Sequence, residues 1–148
     1  MSTKLRLLDD LKTAMRAQDK QKVSALRLIT AAIKQIEVDE RIDVDDTRLL
    51  TILDKMAKQR KESIEQYTLA AREDLVAQEN YELSLIQEYL PEPLSAAALE
   101  ALIQEALSAV SAKSIADMGK VMAQLKPQVQ GRCDMTQISQ LVKTALGS

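Results

Sequence analysis

Leu5, Leu8, Leu11 and Met15 open a pattern that continues almost to the end of the chain, with apolar residues returning every third or fourth position. That period is the helical one. Behind Asp19, a residue suited to cap a helix, Val23, Leu26, Ile29, Ile33 and Ile36 repeat it. Leu49, Leu53, Met56, Ile64 and Tyr67 do so behind Asp45 or Asp46, and Leu75, Leu83, Ile86 and Leu90 follow after a break near residues 72–74. With only 3 Gly and 3 Pro in 148 residues, turn chemistry is too scarce for a many-turned β sandwich. The expectation is an all-α protein.

The clearest punctuation is Leu90-Pro91-Glu92-Pro93-Leu94-Ser95. Two prolines one residue apart do not sit inside a helix, and they stiffen a connection. A boundary near Pro91 gives an N-terminal bundle of about four helices over residues 1–90. Residues 91–148 are left as a small C-terminal three-helix domain, close to the smallest size at which a core stands alone. In that second part Ser95 is placed to cap a helix carrying Leu99, Leu102, Ile103, Ala106, Leu107 and Val110. Ser114 with Asp117, and Asp134 with Gln137, have the spacing of capping boxes. The first opens a helix with Met118, Val121, Met122 and Leu125, which Pro127 and Gly131 are expected to end. The second opens a last helix with Ile138, Leu141, Val142 and Ala145.

Composition removes whole classes of chemistry. There is no His, so neither a Ser-His-Asp triad nor His-ligated zinc can be assembled, and Cys133 is the single thiol. Its place between Arg132 and Asp134 at a helix start favours a thiolate, but it has no base to activate it, and a packing thiol is the expectation. Aromatics are 2% of the chain, three Tyr with no Phe or Trp, which denies single-stranded nucleic acid its usual stacking platforms. No apolar run approaches the ~20 residues of a membrane span, and the first residues lack the continuous apolar stretch of a signal peptide. A cytoplasmic protein without a membrane partner is the expectation.

The segment from Glu37 to Asp46 holds six carboxylates in ten residues. As a calcium loop beginning at Asp43 it places Arg48 where the turn needs glycine, so a solvated loop with a helix cap is expected and no metal site is assigned. On the third helix Arg60 falls on the apolar stripe between Met56 and Ile64, where it either snorkels or meets a carboxylate of a neighbouring helix. Net charge is −2, yet residues 113–148 hold Lys113, Lys120, Lys126, Arg132 and Lys143 against only Asp117 and Asp134. This is the one extended basic region, and a local patch can bind nucleic acid within an acidic whole. Gly119, in the first turn of a helix, costs stability and calls for a reason: a close approach by a neighbouring backbone or by a ligand. Lys120, Lys126 and Arg132 are all suited to phosphate contacts. A tight helical hairpin with solvated lysines accounts for the same spacing equally well.

These residues also carry a resemblance. Met118-Gly119-Lys120-Val121-Met122, then Gly131-Arg132 and Asp134 before an apolar last helix, resembles the signature of the GatB/YqeY family. In the front half Ala25-Leu26-Arg27-Leu28-Ile29, Lys58-Gln59-Arg60-Lys61-Glu62-Ser63-Ile64, Arg72-Glu73-Asp74-Leu75 and Glu88-Tyr89-Leu90-Pro91 agree, in the right order. The likeness spans nearly the whole chain and is to the free-standing YqeY-like proteins. It implies the same two-part helical architecture. A similar domain forms the tail of the B subunit of the tRNA-dependent amidotransferase, where it engages the body of the tRNA, remote from the chemistry. A related domain precedes some glutaminyl-tRNA synthetases.

The resemblance also brings a label, carbon–nitrogen ligase with glutamine as amide donor, which the residues resist. The chain has no Gly-rich phosphate loop and is too short for both an ATP site and an ammonia channel. What carries over is the tail: Gly119, Lys120, Gly131 and Arg132 match the family's pattern, with Lys126 and Lys143 as weaker basic additions. Cys133 stands where the family usually has a small residue such as Ala. The expectation is therefore a non-catalytic module without cofactor, binding tRNA weakly and salt-sensitively, or binding a tRNA-handling enzyme. The alternatives are a protein adaptor using Met118 and Met122, or an accessory part of a glutamine-dependent ligase.

Overall fold

The computed structural model describes residues 2–147, which form seven α-helices and one short 3-10 turn, with no strand among them. Helix α1 spans Thr3–Arg16, α2 Lys20–Glu40, α3 Asp46–Leu69, α4 Glu73–Gln87 and α5 Ala96–Ala109. The 3-10 turn Ile115–Asp117 leads directly into α6, Met118–Val129, and α7 covers Met135–Ala145. The chain divides into two compact units, Met1–Leu90 and Pro91–Ser148.

In the first unit, caps set where the helices start. The side chains of Ser2, Asp19 and Asp45 accept the N–H groups of Leu5, Lys22 and Arg48. Each bond satisfies one of the donors a helix N-terminus leaves unpaired. The core is built around Leu7, Leu26, Ile29, Leu49, Leu53 and Ile86, all less than 2% exposed. On α1 the buried stripe is Leu7, Leu11 and Ala14, while Leu5, Leu8 and Met15 lie outside it, 56%, 39% and 49% exposed. The spacing locates this helix correctly, but two apolar stripes compete on it and only one turns inward. Among the described residues no helix is long and apolar enough to cross a membrane.

Two boundaries differ from the sequence expectation. Helix α2 runs on to Glu40, so the acidic loop shrinks to residues 41–45. Three of the six carboxylates that suggested a solvated loop are paired with cations instead, and Asp45 caps α3 as expected. Lys4 Nζ lies 2.5 Å from Glu37 and 2.7 Å from Asp43, Arg48 lies 2.5 Å from Glu40, and Glu37 also accepts the Val44 N–H. Similarly, Pro127 does not stop α6, which continues to Val129. A proline forfeits one hydrogen bond, but Val129 is fully buried and that burial holds the final turn in place.

The second unit has its own core: Leu99, Ile103 and Ala106 of α5, Val121, Leu125 and Val129 of α6, and Ile138 and Val142 of α7. Val121, Leu125 and Val129 recur every four residues and form the inward stripe of α6. Met118 and Met122 are partly buried and pack against this core. At the start of α7, Asp134 caps by accepting from the Thr136 N–H at 2.9 Å.

Candidate nucleic-acid interface

The basic region begins at a tight corner. The Asp117 carboxylate accepts the Lys113 N–H at 2.9 Å and the Ser114 N–H at 3.4 Å. Those two donors, followed by the charges of Lys120 and Lys113, hold its carboxyl below the usual value. The corner fixes the first turn of α6, where Gly119 and Lys120 follow at once, both exposed. A methyl group placed on Gly119 would meet no atom within 4 Å. No neighbouring helix therefore requires a glycine there.

Lys126 is exposed in the last turn of α6. It follows Lys120 by six residues, which sets the two side chains about 120° apart around the helix axis. They flank different sides of α6 rather than forming one row. Lys143 is exposed in the last turn of α7, where a cation also complements the helix dipole.

Gly131 and Arg132 belong to the frame of the unit. Gln130 at φ −55 and ψ 124, then Gly131 at φ 75, with the Arg132 N–H donating to the Val129 carbonyl at 2.9 Å, make a type II turn. Its third position needs a left-handed backbone, which glycine adopts without penalty. Arg132 then ties the start of the unit to this turn: its Nε donates to the Glu92 carbonyl at 3.1 Å, and its own carbonyl accepts the Leu94 N–H at 3.0 Å. The partners on that side, Glu92 and Leu94, were not legible as such. The prolines on either side of Glu92 mark a stiff segment, but a main-chain bond leaves no trace in residue type. Cys133 is half-buried against the second core with Sγ 3.8 Å from the Val129 carbonyl, a packing position.

In the first unit, Arg60 meets carboxylates rather than snorkelling. Its Nε lies 3.1 Å from Glu82 and 3.9 Å from Glu79, both on α4. Burial, then the neighbouring Glu82 charge, push the Glu79 carboxyl up despite Arg60. Among the described residues no group of three or more Cys, Asp or Glu is arranged to hold a metal ion.

Known proteins are similar to this chain, two of the three below along most of its length. A family model described as Yqey-like protein matches residues 4–146. "Altered inheritance of mitochondria protein 41, mitochondrial" of Pyrenophora tritici-repentis is 29% identical over 97% of this chain and 80% of its own length. The protein of the same name from Saccharomyces cerevisiae is 31% identical over 94% of this chain and 74% of its own. That of Vanderwaltozyma polyspora reaches 42% identity over 58% of this chain, a stretch spanning about half of that relative. With the motif of α6, the turn at Gly131 and the front-half motifs all inside the matched region, the chain belongs to the Yqey-like protein family.

Proposed function

We propose that this chain is a non-catalytic helical module that binds the backbone of a structured RNA, tRNA above all, through the exposed flanks of α6 and the end of α7. The observation that carries this reading is Gly119. It is a helix-weakening residue with open space in front of it and a lysine beside it, in the first turn of α6. Lys120, Lys126 and Lys143 supply the exposed cations, while Gly131 and Arg132 hold the unit that displays them. Structured RNA is read largely by shape and backbone contacts, which suits a protein with few stacking aromatics. The likeness to the tail of the amidotransferase B subunit supports the same assignment, and a tRNA-handling enzyme is the protein partner that would share such a site. The compartment is the cytoplasm, or the mitochondrion if the naming of the fungal relatives extends to this chain.

The test is binding of total and transcribed tRNAs to the full chain at two salt concentrations, with Lys120→Glu/Lys126→Glu as the comparison. Each phosphate contact contributes roughly 0.7–0.9 to the slope of log affinity against log salt. The double variant is expected to bind more weakly and with a shallower slope. Absence of binding at low salt, or an unchanged slope in the variant, removes the RNA reading.

A further inference from the structure

A second surface lies on the first unit and owes nothing to the RNA reading. Between α1 and α2 is a cavity of about 520 Å³. Leu8, Ala31 and Ile33 line it as an apolar floor, and Arg27 and Lys34 stand at its rim. The carboxylate at its edge, Glu37, is paired with Lys4 at 2.5 Å, a cation that Asp43 shares at 2.7 Å. Along the outer face of α2, Lys20, Arg27 and Lys34 recur every seven residues, each followed four residues on by Ser24, Ala31 or Val38, and all six are exposed. Among the described residues none of these three cations has an ion-pair partner. Seven residues advance a helix by about 10.5 Å, so the cations form an evenly spaced row beside an apolar trough.

We infer that this groove docks an amphipathic helix of a partner protein, one with an apolar ridge flanked by carboxylates at seven-residue spacing. Charge complementarity selects that occupant: the rim offers unpaired cations in the rhythm of a packed helix pair, and the floor accepts apolar side chains. A phosphate backbone has no use for a floor of Leu8, Ala31 and Ile33. In a two-fold pairing of two copies, each Arg27–Lys34 row faces the other's, and like charges repel.

The experiment uses the full chain and a synthetic helical peptide with Leu along one face and Glu at seven-residue spacing on its flanks, followed by fluorescence anisotropy. A peptide with Lys in place of every Glu is the control. The acidic peptide is expected to bind at least about tenfold more tightly than the basic one, and Arg27→Glu/Lys34→Glu is expected to reverse that preference. These positions are exposed, and Arg27→Gln/Lys34→Gln, which removes charge without reversing it, should give an intermediate affinity. Equal binding of the two peptides, or no change in either variant, overturns the inference. Displacement of the acidic peptide by total tRNA assigns the face to nucleic acid and overturns it too. So does concentration-dependent dimerisation in sedimentation that Arg27→Glu/Lys34→Glu abolishes, since the occupant is then a second copy.

Discussion

Tyr89, at the end of the first unit, donates its hydroxyl to the Asp10 carboxylate of α1 in a short hydrogen bond. The Arg6 guanidinium sits 4.7 Å above the same ring, and its Nη2 donates to the Glu88 carbonyl at 2.9 Å. Tyr89 is 5% exposed, so the residues just before Pro91 are fixed to the first helix by a buried ring, a hydroxyl bond and a cation at once.

Tyr89→Phe keeps the ring and its cation contact but deprives Asp10 of its donor. A loss of about 1–2 kcal/mol is expected in denaturant unfolding. Burial, then the bond to Asp10, raise the phenol above its ordinary 10.0. A raised folded-state value means that the unfolded chain ionises first. The stability is therefore fully present below about pH 10 and lost as pH climbs beyond it, and the Phe variant lacks that alkaline loss. Identical alkaline profiles would separate Tyr89 from the effect.

The two interior glycines should respond in opposite directions. Gly131→Ala forces a side chain into φ 75 and is expected to cost about 1–2 kcal/mol. Gly119→Ala meets nothing and gains helix propensity, so it is expected to raise stability by about 0.5–1 kcal/mol. If Gly119→Ala also weakens tRNA binding, the glycine serves the ligand. If binding is unchanged, the approach does not occur at that position.

Arg132→Ala removes the bond to the Glu92 carbonyl and loosens residues 92–94. An exchange measurement on the Leu94 amide, whose acceptor is the Arg132 carbonyl, should show faster exchange than in the native chain. Global stability should fall by about 1 kcal/mol. Protection of Leu94 equal to that of the native protein would show that the type II turn holds the segment without the guanidinium.

Acid titration should reveal two opposing groups. Asp43, Asp74 and Asp117 are lowered from 3.8, chiefly by hydrogen bonds from Lys4, from Arg72 and from the backbone N–H of Lys113. Their contribution is present above that value and is lost as pH falls through the folded-state values. Glu79 is raised from 4.5 by burial, so its ionised form opposes folding at neutral pH and that opposition is relieved on acidification. Glu79→Gln is therefore expected to leave neutral-pH stability unchanged or higher. Glu82→Gln, which takes away the nearer partner of Arg60, should cost about 1 kcal/mol. The reverse order of the two variants in thermal melts would contradict the assignment.

The helices were legible because their signals are local: Asp19 and Ser95 announce starts, and the three- and four-residue spacing announces interiors. Which stripe of α1 turns inward was not legible, because Leu5, Leu8 and Met15 are as apolar as Leu7, Leu11 and Ala14, and only packing against other helices chooses. The length of α2 was hidden for a related reason. A run of carboxylates reads as solvent-facing until Lys4 and Arg48 arrive from other parts of the chain. In the candidate site, residue types and helix placement could be read, but the division of labour could not. Gly119 and Gly131 look alike in sequence, yet one is fixed by a left-handed turn and the other faces open space. Arg132 looks like any exposed cation until the carbonyl of Glu92 is found beside it.

The link between Tyr89 and Asp10 joins residues 79 positions apart. Helices α3 and α4 pack as a hairpin of neighbours and can associate as soon as both exist. Helix α1 packs on α2 in the same local way, while its fastening by Tyr89 comes from far along the chain. A chain emerging from the ribosome would hold α1 against α2 without its final fastening until nearly the whole front unit has been made. Truncation just before Tyr89 should therefore act at a distance: it should loosen the earliest-made helix, which loses the buried ring, the hydroxyl bond and the cation contact at once.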